Sequence, residues 1–203
     1  NSIDARISLP STITTTYIQF IAPSTGYYTK ARVLTNEGPI ATNLNTITLR
    51  LGIYDNSDNY TPQPPPNTNP FTNHGIPYQI KGQGFISIAD VDLSANIFKY
   101  IDVSFNSPAN LIMNQPYWFA YSTYALDSSS NPAVADIFDQ SSTNNGNDYS
   151  ILDISNNTNV GGATGPFVNF PSSERNNLQI SSNPTWFRLY DPSSNFLVGP
   201  QGP

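Results

Sequence analysis

The stretch Thr46-Ile47-Thr48-Leu49-Arg50-Leu51-Gly52-Ile53-Tyr54 sets Ile47, Leu49, Leu51 and Ile53 against Thr46, Thr48, Arg50 and Gly52 in strict alternation. An extended chain turns successive side chains to opposite faces, so the four aliphatic residues are expected in a core and the other set towards water. A second run, Ile97–Phe105, places Ile97, Lys99, Ile101, Val103 and Phe105 on one face and Phe98, Tyr100, Asp102 and Ser104 on the other. Its first half carries apolar residues on both faces and is expected to be covered on both. Further strands are expected at Thr15–Ile21, Tyr27–Leu34, Gly84–Ile88, Pro116–Tyr124, Ala133–Phe138, Tyr149–Ile154, Phe167–Phe170 and Thr185–Tyr190. About ten short strands bounded by turn residues is the pattern of an all-β, antiparallel, two-sheet sandwich.

Composition leads the same way. Charged residues make up 11% of the 203 residues, and Glu37 and Glu174 are the only glutamates. A chain so poor in Glu, Lys and Leu has little from which to build surface helices, whereas its Asn, Ser, Thr, Pro and Tyr favour turns and pleated strands. The length suits one well-buried core, and no break in composition divides it, so residues 1–198 are expected to form a single domain. Eight Lys+Arg against 14 Asp+Glu give a net charge of -6, with no basic cluster in the sequence to neutralise phosphates. Nucleic acid is therefore not an expected partner. No apolar run approaches the roughly 18 residues of a membrane span. Cysteine is absent, which excludes disulfides and thiolate chemistry but does not locate the protein. The sequons at Asn59 and Asn156 are near what chance supplies in a chain so rich in Asn, Ser and Thr.

Two long loops rich in Asn, Pro and Ser interrupt the strands. Asp55–Lys81 carries Pro62, Pro64, Pro65, Pro66, Pro70 and Pro77, so it is expected to cross the surface without supplying a central strand. Leu126–Gly165 holds two short apolar runs, expected as edge strands or a flap over one sheet. The last five residues, Gly199-Pro200-Gln201-Gly202-Pro203, read either as turn punctuation or as the start of a collagen-like Gly-X-Y stalk. A stalk would require three chains. Phe196, Leu197 and Val198, an apolar step just before Gly199, would then help close a homotrimer, with Gly199 and Gly202 at the crowded axis.

The segments Thr25–Leu34, Leu49–Asp55 and Asn114–Tyr121 together resemble the strand series of jelly-roll modules in secreted bacterial proteins and in phage or large-virus fibre proteins. The resemblance covers about Ser24 to Tyr124 and is a strand pattern rather than a catalytic signature. Asn114 and Gln115 stand where that group has small turn residues, and Phe119 replaces an aliphatic one. It implies a jelly roll used for display, attachment or carbohydrate binding, in an extracellular setting on a virion or cell surface.

No enzyme is expected. His74, the single histidine, lies in the Pro-rich loop without the context of a Ser-His-Asp triad, and the carboxylates form no pair suited to glycoside hydrolysis. Asp55, Ser57 and Asn59 alternate oxygen ligands as a calcium loop does, but Tyr60 and Pro66 occupy the places of the required Gly and Glu. That leaves either a looser calcium turn that includes Asp58 or a plain hairpin turn. A sugar platform is the other possible site, with Tyr60, Phe71 and Tyr78 from the loop and Trp118 and Trp186 from strands, each tryptophan facing away from its aromatic neighbours. Stacked rings beside amides bind sugars in this way. Both tryptophans packed beneath loops is the competing arrangement.

Overall fold

The structure is a computed structural model that describes residues 15–35, 44–57, 75–89, 99–127, 132–133, 150–153, 166–171, 178–180, 187–192 and 196–198. The strands are β1 (Thr15–Ile21), β2 (Gly26–Thr35), β3 (Leu44–Ser57), β4 (Ile76–Ala89), β5 (Lys99–Leu111), β6 (Pro116–Asp127), β7 (Pro132–Ala133), β8 (Ser150–Asp153), β9 (Leu178–Ile180), β10 (Phe187–Tyr190) and β11 (Phe196–Val198). The chain is all-β with antiparallel pairing. Its strands follow one continuous path, β11-β10-β2-β5-β4-β3-β6-β1-β8-β9, with β7 beside β6. β4 meets β5 at the Gln83↔Ser107 pair and lies close to it along Gly82 and Gly84, and at this seam the sheet passes from one wing to the other.

The expected inner face of β3 is buried. Leu49, Leu51 and Ile53 are fully covered, as are Ile18 of β1 and Phe119 of β6. They share one cluster with Ala31, Val33, Val103, Phe105, Phe187 and Leu189 from the other wing. Phe187 lies flat on Phe119, with ring centroids 4.1 Å apart and planes 10° apart, and meets Phe20 edge-on at 5.5 Å. The sheet therefore curls, because each wing has an apolar face that only the other is placed to cover.

The opposite face of β3 departs from expectation. Arg50 and Gly52 do not face water: Arg50 is 1% exposed and Gly52 is buried. A second cluster covers this side, made of Tyr17, Tyr54, Ile76, Trp118, Ala120, Phe167, Phe170 and Leu178. Arg50 bonds Ser122 Oγ at 3.1 Å and lies 4.7 Å from the centre of the Phe167 ring. Burial holds its guanidinium pKa below the ordinary value, with Tyr54 and Tyr17 acting in the opposite direction.

The covering segment, residues 166–171, is not the strand its alternation predicts. Side chains replace the ladder that a strand would need. Gln83 accepts from Phe167 N–H at 2.5 Å and donates to Phe167 O at 2.8 Å, acting as a substitute strand residue. Tyr54 Oη donates to Val168 O, Asn169 Oδ1 accepts from Ile80 N–H, and Phe170 N–H donates to Tyr78 O.

Two further expectations need correction. The Pro-rich loop ends earlier than Lys81, since β4 begins at Ile76 and includes Pro77 opposite Asn56, where the register is irregular and the missing N–H is tolerated. The first half of the Ile97–Phe105 run is not covered on both faces where it is described, because Tyr100 is 60% exposed, and Ile97 and Phe98 lie outside the described residues. Leu126–Gly165 carries short strands at both of its apolar runs, β7 beside β6 and β8 between β1 and β9, while Leu126 and Asp127 extend β6. The Ile112–Gln115 turn is closed by Gln115 N–H to Ile112 O at 3.2 Å, with Asn114 at φ 64, a left-handed conformation that asparagine tolerates.

Asn56 links the ends of three strands. Its Oδ1 accepts from Trp118 Nε1 at 2.7 Å and from Gln19 Nε2 at 3.2 Å. Asn56→Ala strands a buried indole N–H and is expected to cost about 2 kcal/mol in denaturant unfolding. Asn56→Asp keeps the acceptor, so its smaller loss in the same measurement separates hydrogen bonding from shape.

Candidate ligand-binding face

Of the residues that the sequence singles out for a sugar platform, Tyr78 and Trp118 are among the described residues. Trp118 is fully buried, which removes its ring from any sugar platform, and it stands under residues 166–171 as one of the two arrangements open to it. Tyr78 is 43% exposed on β4. Tyr60, Phe71, Trp186, Asp58, Asn59 and His74 lie outside the described residues, as do Gly199 and Gly202. In the expected calcium turn, Asp55 Oδ1 accepts from Gln79 N–H at 2.6 Å, and Oδ2 lies 3.7 Å from Lys81 Nζ. Ser57, the next residue of that set, is buried. Phe196, Leu197 and Val198 form β11, paired with Tyr190, Leu189 and Arg188 respectively.

A different set of polar side chains comes together on the outer face of the β10-β2-β5 wing. Alternation along β2 buries Ala31 and Val33 in the core and turns Lys30 and Arg32 outward. Cross-strand register then builds two rows, Arg188–Arg32–Asp102 and Tyr190–Lys30–Ser104. Asp102 accepts from Arg32 Nε at 2.5 Å, from Arg32 Nη2 at 2.8 Å and from Lys30 Nζ at 3.1 Å. The Arg32 guanidinium also lies 5.6 Å from the Tyr100 ring centre and 5.3 Å from that of Tyr190, while Lys30 sits 4.4 Å over Tyr190.

The effect is a pair of cations held in place. Arg32 is fixed by a fork of two bonds and flanked by two rings, so little rotamer entropy remains to be lost when it meets a further partner. Asp102 engages Nε and Nη2, which leaves the Nη1 edge of the guanidinium outside that fork. The Lys30 and Arg32 side chains keep 33% and 31% of their surface exposed. Two rows with three cations and one carboxylate form a positive island on a chain of net charge -6.

Arg32 hydrogen bonds hold the Asp102 carboxyl below its ordinary pKa of 3.8, Lys30 acts in the same direction, and partial burial opposes both. A carboxyl whose folded pKa lies below the unfolded one stabilises the fold above the unfolded value and loses that contribution as pH falls through the folded value. The pair is a third exposed, so solvent screening keeps its worth at about 1 kcal/mol or less. Asp102→Asn is thus expected to cost up to about 1 kcal/mol at pH 7. The gap should close as pH is lowered through and below about 4, and paired urea titrations across that range check it.

Only part of this face was visible beforehand. Lys30 and Arg32 alternate on a predicted strand, but Asp102 lies 70 positions away from Arg32, and only strand register unites them with Tyr190. Compared with known proteins, the chain matches no family model, no curated protein and no solved structure, and the chemistry of this face rests on its own residues.

Proposed function

We propose that residues 1–198 form a single jelly-roll β-sandwich that serves as a non-enzymatic structural or attachment subunit of a fibre or appendage on the outside of a virion or cell. The observation that carries this reading is the outward face of β10-β2-β5, where ordered cations and tyrosine rings lie on a broad sheet surface. The sandwich reading draws support from the core, in which β2, β5 and β10 pack against β1, β3 and β6. Antibodies against the folded domain should label the surface of intact particles or cells; labelling only after they are broken open overturns the proposal.

A homotrimer joined by a collagen-like run from Gly199 belongs to the same reading. β11 lies at one end of the sheet path and immediately precedes that run. Light scattering of the chain carried into several further Gly-X-Y triplets should give a threefold mass, whereas a monomer removes the stalk from the proposal.

The second reading is a carbohydrate-binding module for glycan attachment. It is favoured by the exposed Tyr100 ring against Arg32, whose guanidinium Asp102 holds together with Lys30. Glycan-array screening with the folded chain tests it, and no binding at millimolar sugar leaves the purely structural role.

A further inference from the structure

We propose that the outer face of β10-β2-β5 is a binding site for acidic saccharides, with a carboxylate or sulfate group on Lys30 and Arg32 and the sugar ring against Tyr100. The inference rests on the carbohydrate-binding reading and names its ligand class. Three features of the face lead to it.

First, the donors are oriented and partly exposed. Arg32 is clamped by Asp102 yet retains its Nη1 edge, and Lys30 Nζ makes one bond, to Asp102 Oδ2, out of three available. A planar, fixed guanidinium beside an ammonium matches the oxygens of a carboxylate or sulfate. Second, the rings complete an amphipathic surface. Tyr100 remains 60% exposed even though Arg32 lies against it, so the apolar face of a pyranose has a ring to cover within reach of the cations. Third, the surrounding charge makes the face selective. With a net charge of -6 the chain as a whole repels polyanions, so an acidic ligand is drawn to this island and not to the molecule at large.

Asp102 has two roles in this arrangement. It orients Arg32 and Lys30, and it also competes with an incoming anion for the same donors. Removing its charge while keeping its shape is therefore expected to increase affinity for acidic sugars. A face that served only to tie strands together would show no such gain.

The test uses the whole chain and four probes in calorimetric titrations at physiological salt: a sulfated heparin-derived hexasaccharide, a carboxylated hyaluronan-derived hexasaccharide, a neutral cellohexaose, and a single-stranded oligonucleotide of matching charge. At least one acidic saccharide should bind about tenfold or more tightly than cellohexaose, and the comparison of the first two tells sulfate from carboxylate. Lys30→Gln and Arg32→Gln should each weaken that binding about tenfold, the usual scale for a lost charge-assisted bond. Asp102→Asn should strengthen it severalfold, and Tyr100→Ala should weaken every sugar. Circular dichroism establishes that each variant is folded; if Arg32→Gln is not, Lys30→Gln and Asp102→Asn still decide the matter. Sugar binding that ignores charge and survives Lys30→Gln overturns the inference and leaves the carbohydrate-binding reading intact. A folded chain that binds none of the three sugars overturns both. An oligonucleotide bound as tightly as the acidic sugar replaces the proposal with plain attraction of polyanions.

Discussion

Phe187→Ala is expected to lower the unfolding free energy by about 3–5 kcal/mol, the largest effect of any single truncation considered for this fold. The ring is fully buried, stacks on Phe119 at 4.1 Å and meets Phe20 at 5.5 Å. It belongs to β10, in one wing of the sheet, while both of its partners belong to the other wing. Truncation removes the buried ring area and leaves a cavity where the wings meet, which backbone relaxation fills only in part. Against a typical total of about 5–15 kcal/mol, a loss of that size brings the domain close to its threshold. Its melting temperature should fall by roughly 10 °C. Phe187→Leu refills most of the volume and should cost about 1.5 kcal/mol or less. Urea unfolding of the two variants beside the parent chain checks the order, and a Phe187→Ala loss below about 1 kcal/mol would mean that the wings do not close through this ring.

Gly84→Ala is expected to cost about 3 kcal/mol, at the upper end for overpacking. A Cβ at Gly84 would run into the carbonyl oxygen of Ser104 and stand 3.0 Å from Val103 Cγ1. Two residues earlier on the same face of β4, a Cβ at Gly82 would lie 2.9 Å from the Ala109 backbone nitrogen. These glycines flank Gln83, whose pairing with Ser107 joins the two wings. Backbone cannot swing aside as a flexible side chain can, so the seam itself must open. Gly26→Ala is the control, because its added Cβ meets nothing closer than the Tyr28 ring at 4.0 Å. That substitution should stay within about 0.5 kcal/mol of the parent. Equal stability of the Gly82 and Gly84 variants and the control would show that the strands do not approach closely at this point.

Arg50 shows where pattern reading stops. Its place opposite Leu49 and Leu51 correctly puts it on the other face of β3, yet period two says only that the faces differ, not that one of them is wet. What covers Arg50 is Phe167, brought from more than a hundred residues along the chain by Gln83, Tyr54 and Asn169 acting through their side chains. The same limit applies to Trp118. Alternation separates it from Phe119, but its burial depends on Phe167 and Phe170 arriving over it.

Read alone, then, the sequence determined the quantities that are local: scarce charge, turn-forming composition, and alternation that marks β3, β6 and the buried half of β5. These follow from steric preference and periodicity, which act between neighbouring residues. Tertiary structure decided the rest. It curled one sheet over its own core, covered the second face of β3, and set Arg32, Asp102 and Tyr190 side by side through register. Each of those outcomes depends on strands that are distant in sequence but about 5 Å apart across a ladder. No local pattern encodes which distant strand will supply the neighbour.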